Sequence, residues 1–194
     1  MNHVALQRAL TDPGPRLLPD VVSDLLGKLD APARLAAHLR AVHDVAWQLA
    51  DWMESRYPAV SFDRTLVLFG AATHDIGKII HPHELSKPGS AHECAGYELL
   101  MAQGFDESAA RFARTHACWT EPGIEVNDLI VSLADKIWKG KRVPDLEQLL
   151  VERLAAGGQQ QCWEIFSVLD DELDRIAAAA DERLAFQASN GVSA

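Results

Sequence analysis

The 194-residue chain has only three cysteines (Cys94, Cys118 and Cys162) and no CxxC pair. That excludes a disulfide framework and a thiolate zinc site, and it fits a reduced cytoplasm. Long apolar runs are missing: none approaches the ~20 residues that span a bilayer, so no membrane role is expected. The opening MNHVALQRALTDPGP has no basic segment followed by an apolar stretch, so no secretory leader is expected. Alternating β-branched and aromatic residues are nearly absent, which argues against strands. Cations are scarce as well. Lys and Arg total 18 against 28 Asp and Glu, a net charge of −10, which disfavours a nucleic-acid-coating surface. A small anionic substrate is still admissible, because its site needs only local positive charge. No repeat or low-complexity linker divides the chain.

What is abundant is helical periodicity. Hydrophobic residues make up 48% of the chain, enough for one soluble domain that folds without help from a metal. Leu35, Leu39, Val42, Ala46, Leu49 and Met53 form one apolar stripe, ending before Tyr57-Pro58. Residues 63–80 open with an Asp N-cap, are apolar on all sides and stop at Pro82, as in a central buried helix. After the polar HPHELSKPGS, Ser90 and Glu93 predict a capping box for a helix ending at Gly104. Asp106 predicts the next helix, with Ala109, Phe112, Ala113 and His116 on one face. Ile130, Leu133, Ala134 and Ile137 mark another, and Pro144 starts one more. Gly157-Gly158 precedes a single long final helix carrying Trp163, Phe166, Leu169, Leu173, Ile176 and Leu184, with a frayed end from about Ala188. The fold class is all-α, a single helical bundle.

Eight histidines and five tryptophans stand out. With 8 His and 16 Asp, chance alone supplies about 0.7 His-Asp dipeptides, so the two present (His43-Asp44 and His74-Asp75) need context. His74-Asp75 ends the most hydrophobic stretch, where an ionised carboxylate is costly unless compensated. Imidazole and carboxylate suit Mn, Fe, Ni, Co or Zn, and Mg through oxygen alone. The alternative is a buried Asp75–Lys78 ion pair beside a hydrogen-bonded core histidine. His43 sits on the edge of the stripe, with His38 its rival on the same helix; either alone reads as a core residue. A short turn at Gly104-Phe105 makes the flanking helices antiparallel, bringing His92 and His116 to one end of the pair. Asp135 interrupts the apolar LIVSLADKIW, where Lys136 or Lys139 offers it a partner.

In order, the set reads His, His-Asp, His, His, Asp. This order resembles the HD superfamily of metal-dependent phosphohydrolases, carried by VHDVAWQLA, GAATHDIGK, GSAHECAGYELL, THACW and LADKIW over roughly residues 35–142. The resemblance implies an HD-domain-like helical bundle at 31–158, preceded by an extension at 1–30. A C-terminal helix at 159–194 would pack on the same domain. It implies that His43, His74, Asp75 and Asp135 hold one divalent metal and that Asp75 bridges to a second held by His92 and His116. The implied activity is hydrolysis of a small phosphate ester or nucleotide by metal-activated water, with Asp75 and Lys78 as catalytic residues. The short step from His116 to Asp135 is also similar to the symmetrical diadenosine-tetraphosphate hydrolase branch, although the loop at 81–89 does not assign the chain to it.

Two segments are candidates for holding the phosphate. KIWKGKR contributes Lys139 and Arg142, read either as a steering rim or as a solvated helix end. The loop before His92 contributes His81 and Lys87. Trp119 and Trp138 suit either nucleobase stacking or the core. Two rival functions remain: a diiron oxygenase on the same helical fold, and a non-catalytic nucleotide-binding module. A homodimer through the final helix is a further alternative.

Overall fold

In the computed structural model, which describes residues 2–158 and 160–191, the chain is helical throughout and no strand occurs among the described residues. Helix α1 (Asn2–Thr11) packs against α3 (Ala33–Arg56), the longest element, which also carries α4 (Arg64–Thr73) on its flank; α2 (Asp20–Lys28) packs against α1 and α4. Asp63 caps α4 through its side chain, which accepts from Leu66 N, as the sequence predicts. Helix α5 (Ala91–Ala102) follows, then the single turns α6 (Glu107–Ala110) and α7 (Phe112–Thr115), then α8 (Val126–Ile137). Helices α9 (Pro144–Ala156), α10 (Cys162–Ala177) and α11 (Ala180–Ser189) complete the bundle.

Several boundaries differ from the sequence expectation. The stretch predicted as one helix to Ile80 stops at Thr73, and a 3₁₀ turn covers Ile76–Ile79. His74 and Asp75 therefore sit in the break between them. The final helix is two, broken at Ala178-Ala179, and α11 turns back to pack on α3. Buried Arg183 fastens that return by donating to the carbonyls of Trp138 and Ile176. Asn190 is buried rather than frayed, and residues 192–194 of the predicted tail lie outside the described residues. The Ser90–Glu93 capping box does not form: Ser90 makes no side-chain cap bond.

The core has two apolar clusters. One joins Val42, Leu49 and Met53 of α3 to α8, α9 and α10 through Ile130, Leu150 and Leu169. The other joins Leu35 and Leu39 of α3 to α1, α2 and α5 through Leu6, Leu26 and Leu100. α3 and α4 cross from one to the other, at residues 39–41 and 71–72 respectively. His38 and His74 lie beside these crossings.

Candidate metal centre

Six side chains converge where the clusters meet: His38 from α3, His74 and Asp75 from the break after α4, His92 from α5, His116 after α7 and Asp135 from α8. All the histidines are buried, as is Asp75, and Asp135 is nearly so. The donors fall into two groups of three. His38, His74 and Asp135 form one; Asp75, His92 and His116 form the other.

Asp75 joins them. Its Oδ2 lies 3.0 Å from His38 Nε2 and 3.6 Å from His74 Nε2, while its Oδ1 lies 2.9 Å from His92 Nε2 and 3.7 Å from His116 Nε2. Asp135 Oδ1 faces the first group, 3.3 Å from His74 Nε2 and 3.7 Å from His38 Nε2. Two lysines close the charge balance from the side: Lys78 Nζ is 2.5 Å from Asp75 Oδ2, and Lys136 Nζ is 2.6 Å from Asp135 Oδ2.

The ring orientations are fixed from behind. His74 Nδ1 is 2.9 Å from the Ala71 carbonyl, and His116 Nδ1 is 3.1 Å from those of Phe112 and Ala113. A proton held on Nδ1 by a carbonyl leaves Nε2 with its lone pair toward the cluster, the arrangement a metal requires. His92 uses a carboxylate instead: its Nδ1 lies 2.5 Å from Glu84 Oε2. Glu84 also accepts from the backbone N–H groups of Ala91 and His92, and so caps α5 in place of Ser90. This buried glutamate escapes a sequence reading, because it lies in the loop at 81–89, eight residues before the histidine it orients. Gly89 makes room for it: a Cβ there would stand 2.3 Å from the Glu84 carboxylate.

Two close approaches set the spacing. A Cβ on Gly77 would lie 2.0 Å from the His92 carbonyl, so only glycine lets α5 seat against the 3₁₀ turn that follows Asp75. Between α7 and α8, buried Asp128 accepts from Arg111 and from the Thr115 hydroxyl, both at 2.8 Å, and so ties His116 to the helix that carries Asp135.

The electrostatics agree with the geometry. Burial alone would raise the Asp75 and Asp135 carboxyls, but the surrounding imidazoles override it and hold both below the usual carboxylate range. Burial lowers His38, and it takes His116 down to about 4, helped by neighbouring His74. Burial works the same way on His92, but Asp75 and Glu84 outweigh it and raise that imidazole. Ionised carboxylates beside neutral imidazoles, the states metal ligation demands, are thus favoured at His38 and His116. His92 Nε2 is buried and, although Asp75 Oδ1 is 2.9 Å away, makes no hydrogen bond, which fits a nitrogen that donates its lone pair to a metal. The residues present therefore fit a pair of divalent ions.

The geometry corrects two sequence assignments. His43 is not in the cluster; His38 takes its place. They are five positions apart, which on a helix is about 140° of rotation, so both cannot face one point. Residues 35–43 are all buried, so the apolar stripe that favoured His43 carries no information about direction. Arg142 is the second correction. Its guanidinium is taken up by Glu147, Asp170 and Asp174, which clamp α9 to α10, and is not free for a substrate phosphate. Lys139 is exposed, with Nζ 5.8 Å over the Trp138 ring. Lys87 is exposed, and half-buried His81 packs edge-on against His83. Trp138 is buried against His38, and Trp119 is half-buried with Lys136 Nζ 5.6 Å from its ring.

A family model for the HD domain matches residues 35–138, more than half of the chain. The chain belongs to the HD domain family. The match contains all six clustered donors, and the HD superfamily is one of metal-dependent phosphohydrolases. Among the curated proteins and the solved structures, no match to this HD-domain chain was found. No helix among the described residues is long and apolar enough to cross a membrane.

Proposed function

We propose that this HD domain is a phosphohydrolase acting on a small phosphate ester or nucleotide, with two divalent ions bridged by Asp75. The observation that carries the reading is the division of Asp75: each carboxylate oxygen faces a different set of imidazole nitrogens. In this reading His38, His74, Asp75 and Asp135 hold one ion, and Asp75, His92 and His116 hold the other. Divalent ions bound there would supply Lewis acidity and a water of lowered pKa.

The chain's own groups do the rest. Lys78 and Lys136 bring two ammonium charges to the edge of the cluster, where they can balance an anionic substrate and charge that grows on phosphoryl oxygens. Within the KIWKGKR run, Lys136 is the cation in direct contact with a donor, through Asp135. Trp119, beneath the Lys136 ammonium, offers a half-buried ring to a substrate's planar part.

The test is hydrolysis of a panel of nucleotides and simple phosphate monoesters and diesters by metal-loaded protein, read as phosphate or nucleoside release. Turnover abolished by Asp75→Asn supports the reading. A panel without turnover, combined with iron-dependent oxygen consumption, would replace it with the diiron oxygenase.

A further inference from the structure

His43, displaced from the metal centre, faces elsewhere. It lines a cleft of 660 Å³ on the opposite flank of α3, together with Arg16, Leu17, Leu18, Trp47 and Leu68. That volume lies within the range of small-molecule sites. None of these residues belongs to the six-donor cluster.

The cleft is built rather than incidental. Buried Arg40 of α3 gathers the segment between α1 and α2 by donating to the carbonyls of Ala9 (2.8 Å), Asp12 (3.0 Å), Pro15 and Arg16 (3.5 Å). This fixes the backbone that presents Arg16. The Arg16 guanidinium then lies over the Trp47 ring, 3.7 Å from its centroid. Among the described residues no carboxylate pairs with it. The nearest acid of the cleft, Asp44, accepts from Gln48 at 2.9 Å and from the Arg16 backbone N–H at 3.4 Å. Arg64, on the same indole at 5.0 Å, is paired with Glu54. One cation is therefore left uncompensated.

His43 supplies the second polar feature. It is only 4% exposed, and its Nδ1 has no hydrogen-bond partner. His43 lines the cleft and no hydrogen bond fixes its buried Nδ1, so a small turn of the ring would offer an N–H to a ligand there. Leu17, Leu18, Pro19 and Leu68 give the cleft an apolar wall, and its one acid, Asp44, is engaged by Gln48 and the Arg16 backbone N–H.

We propose that this cleft binds a small amphiphilic anion, its charged head on Arg16 and His43 and its hydrocarbon body along Leu17, Leu18 and Leu68. A charge-assisted bond from a guanidinium held on an indole face is directional and already oriented. Arg16 and Arg64 already lie over the Trp47 ring, at 3.7 Å and 5.0 Å, which argues against a stacked nucleobase here. The site is independent of the phosphohydrolase reading, since it shares no side chain with the metal ligands.

Octanoate is the probe, titrated calorimetrically into the 194-residue chain, with octan-1-ol and acetate as comparisons. One octanoate per chain is expected, with at least tenfold weaker binding of each comparison compound. Arg16→Gln, an exposed position that does not threaten the fold, should weaken octanoate at least tenfold, and His43→Gln several-fold. Asp75→Asn should leave octanoate affinity unchanged. No octanoate binding, equal binding of octan-1-ol, or full affinity in Arg16→Gln overturns the proposal. Loss of binding in Asp75→Asn also overturns it, because the carboxylate would then be occupying the metal centre.

Discussion

Glu84 Oε2 lies 2.5 Å from His92 Nδ1, and this contact fixes which nitrogen of His92 faces Asp75. Carboxylates placed behind metal-binding histidines set tautomer and raise ligand basicity, and their loss typically costs about 10–100-fold in metal affinity. Glu84→Gln should therefore weaken occupancy of the His92–His116 position by a factor in that range. Isothermal titration with Mn²⁺ reads the effect, and unchanged affinity for both ions would show that Glu84 merely caps α5.

Gly77 gives a steric test of the same position. Gly77→Ala places a methyl group against the His92 carbonyl and the Gly96 amide nitrogen, both backbone, so α5 must shift. Overpacking of this kind costs roughly 1–3 kcal/mol. The variant should melt several degrees lower and carry less metal at the His92–His116 position, measured by calorimetry and elemental analysis. Wild-type values in both would contradict the close approach.

Arg142 separates structure from catalysis. Its removal leaves buried Glu147 without its cation; because Arg142 is partly exposed, the expected loss is about 2 kcal/mol rather than the larger cost of a fully buried pair. Arg142→Ala should lower the denaturation midpoint while kcat/KM per folded molecule stays within about twofold. A stable variant with raised KM would restore Arg142 to the substrate.

His43 gives a pH signature. Burial pushes it down to about 4, with Arg16 and Arg40 adding to the effect. The unfolded chain, with an ordinary histidine pKa near 6.5, then binds the extra proton first as pH falls. Stability from a neutral His43 is thus fully present above about pH 6.5, is lost progressively down to about pH 4, and is constant below that; its size is on the order of 3 kcal/mol. Denaturant unfolding of His43→Gln between pH 4 and pH 7 should show a shallower pH dependence than wild type. Parallel curves would place His43 in a more solvated setting.

The helical class, most helix starts and five of the six clustered donors were legible in the sequence. Buried helix ends bearing His74-Asp75 and Asp135 violate the apolar pattern, and that violation is a signal. His38 was hidden because periodicity locates a buried face only when the other face is wet, and α3 is buried all round at residues 35–43. Glu84 was hidden for another reason: its loop has no periodicity from which a direction could be read. The break after Thr73 follows from packing against α5, which local propensity does not encode.

Metal content of wild-type, His38→Ala and His43→Ala protein, measured by elemental mass spectrometry after loading with Mn²⁺ and desalting, tests the two-ion centre most directly. The account predicts close to two ions per chain in the wild type and in His43→Ala, and one or fewer in His38→Ala. An empty wild type, or loss of metal in His43→Ala with retention in His38→Ala, would contradict it.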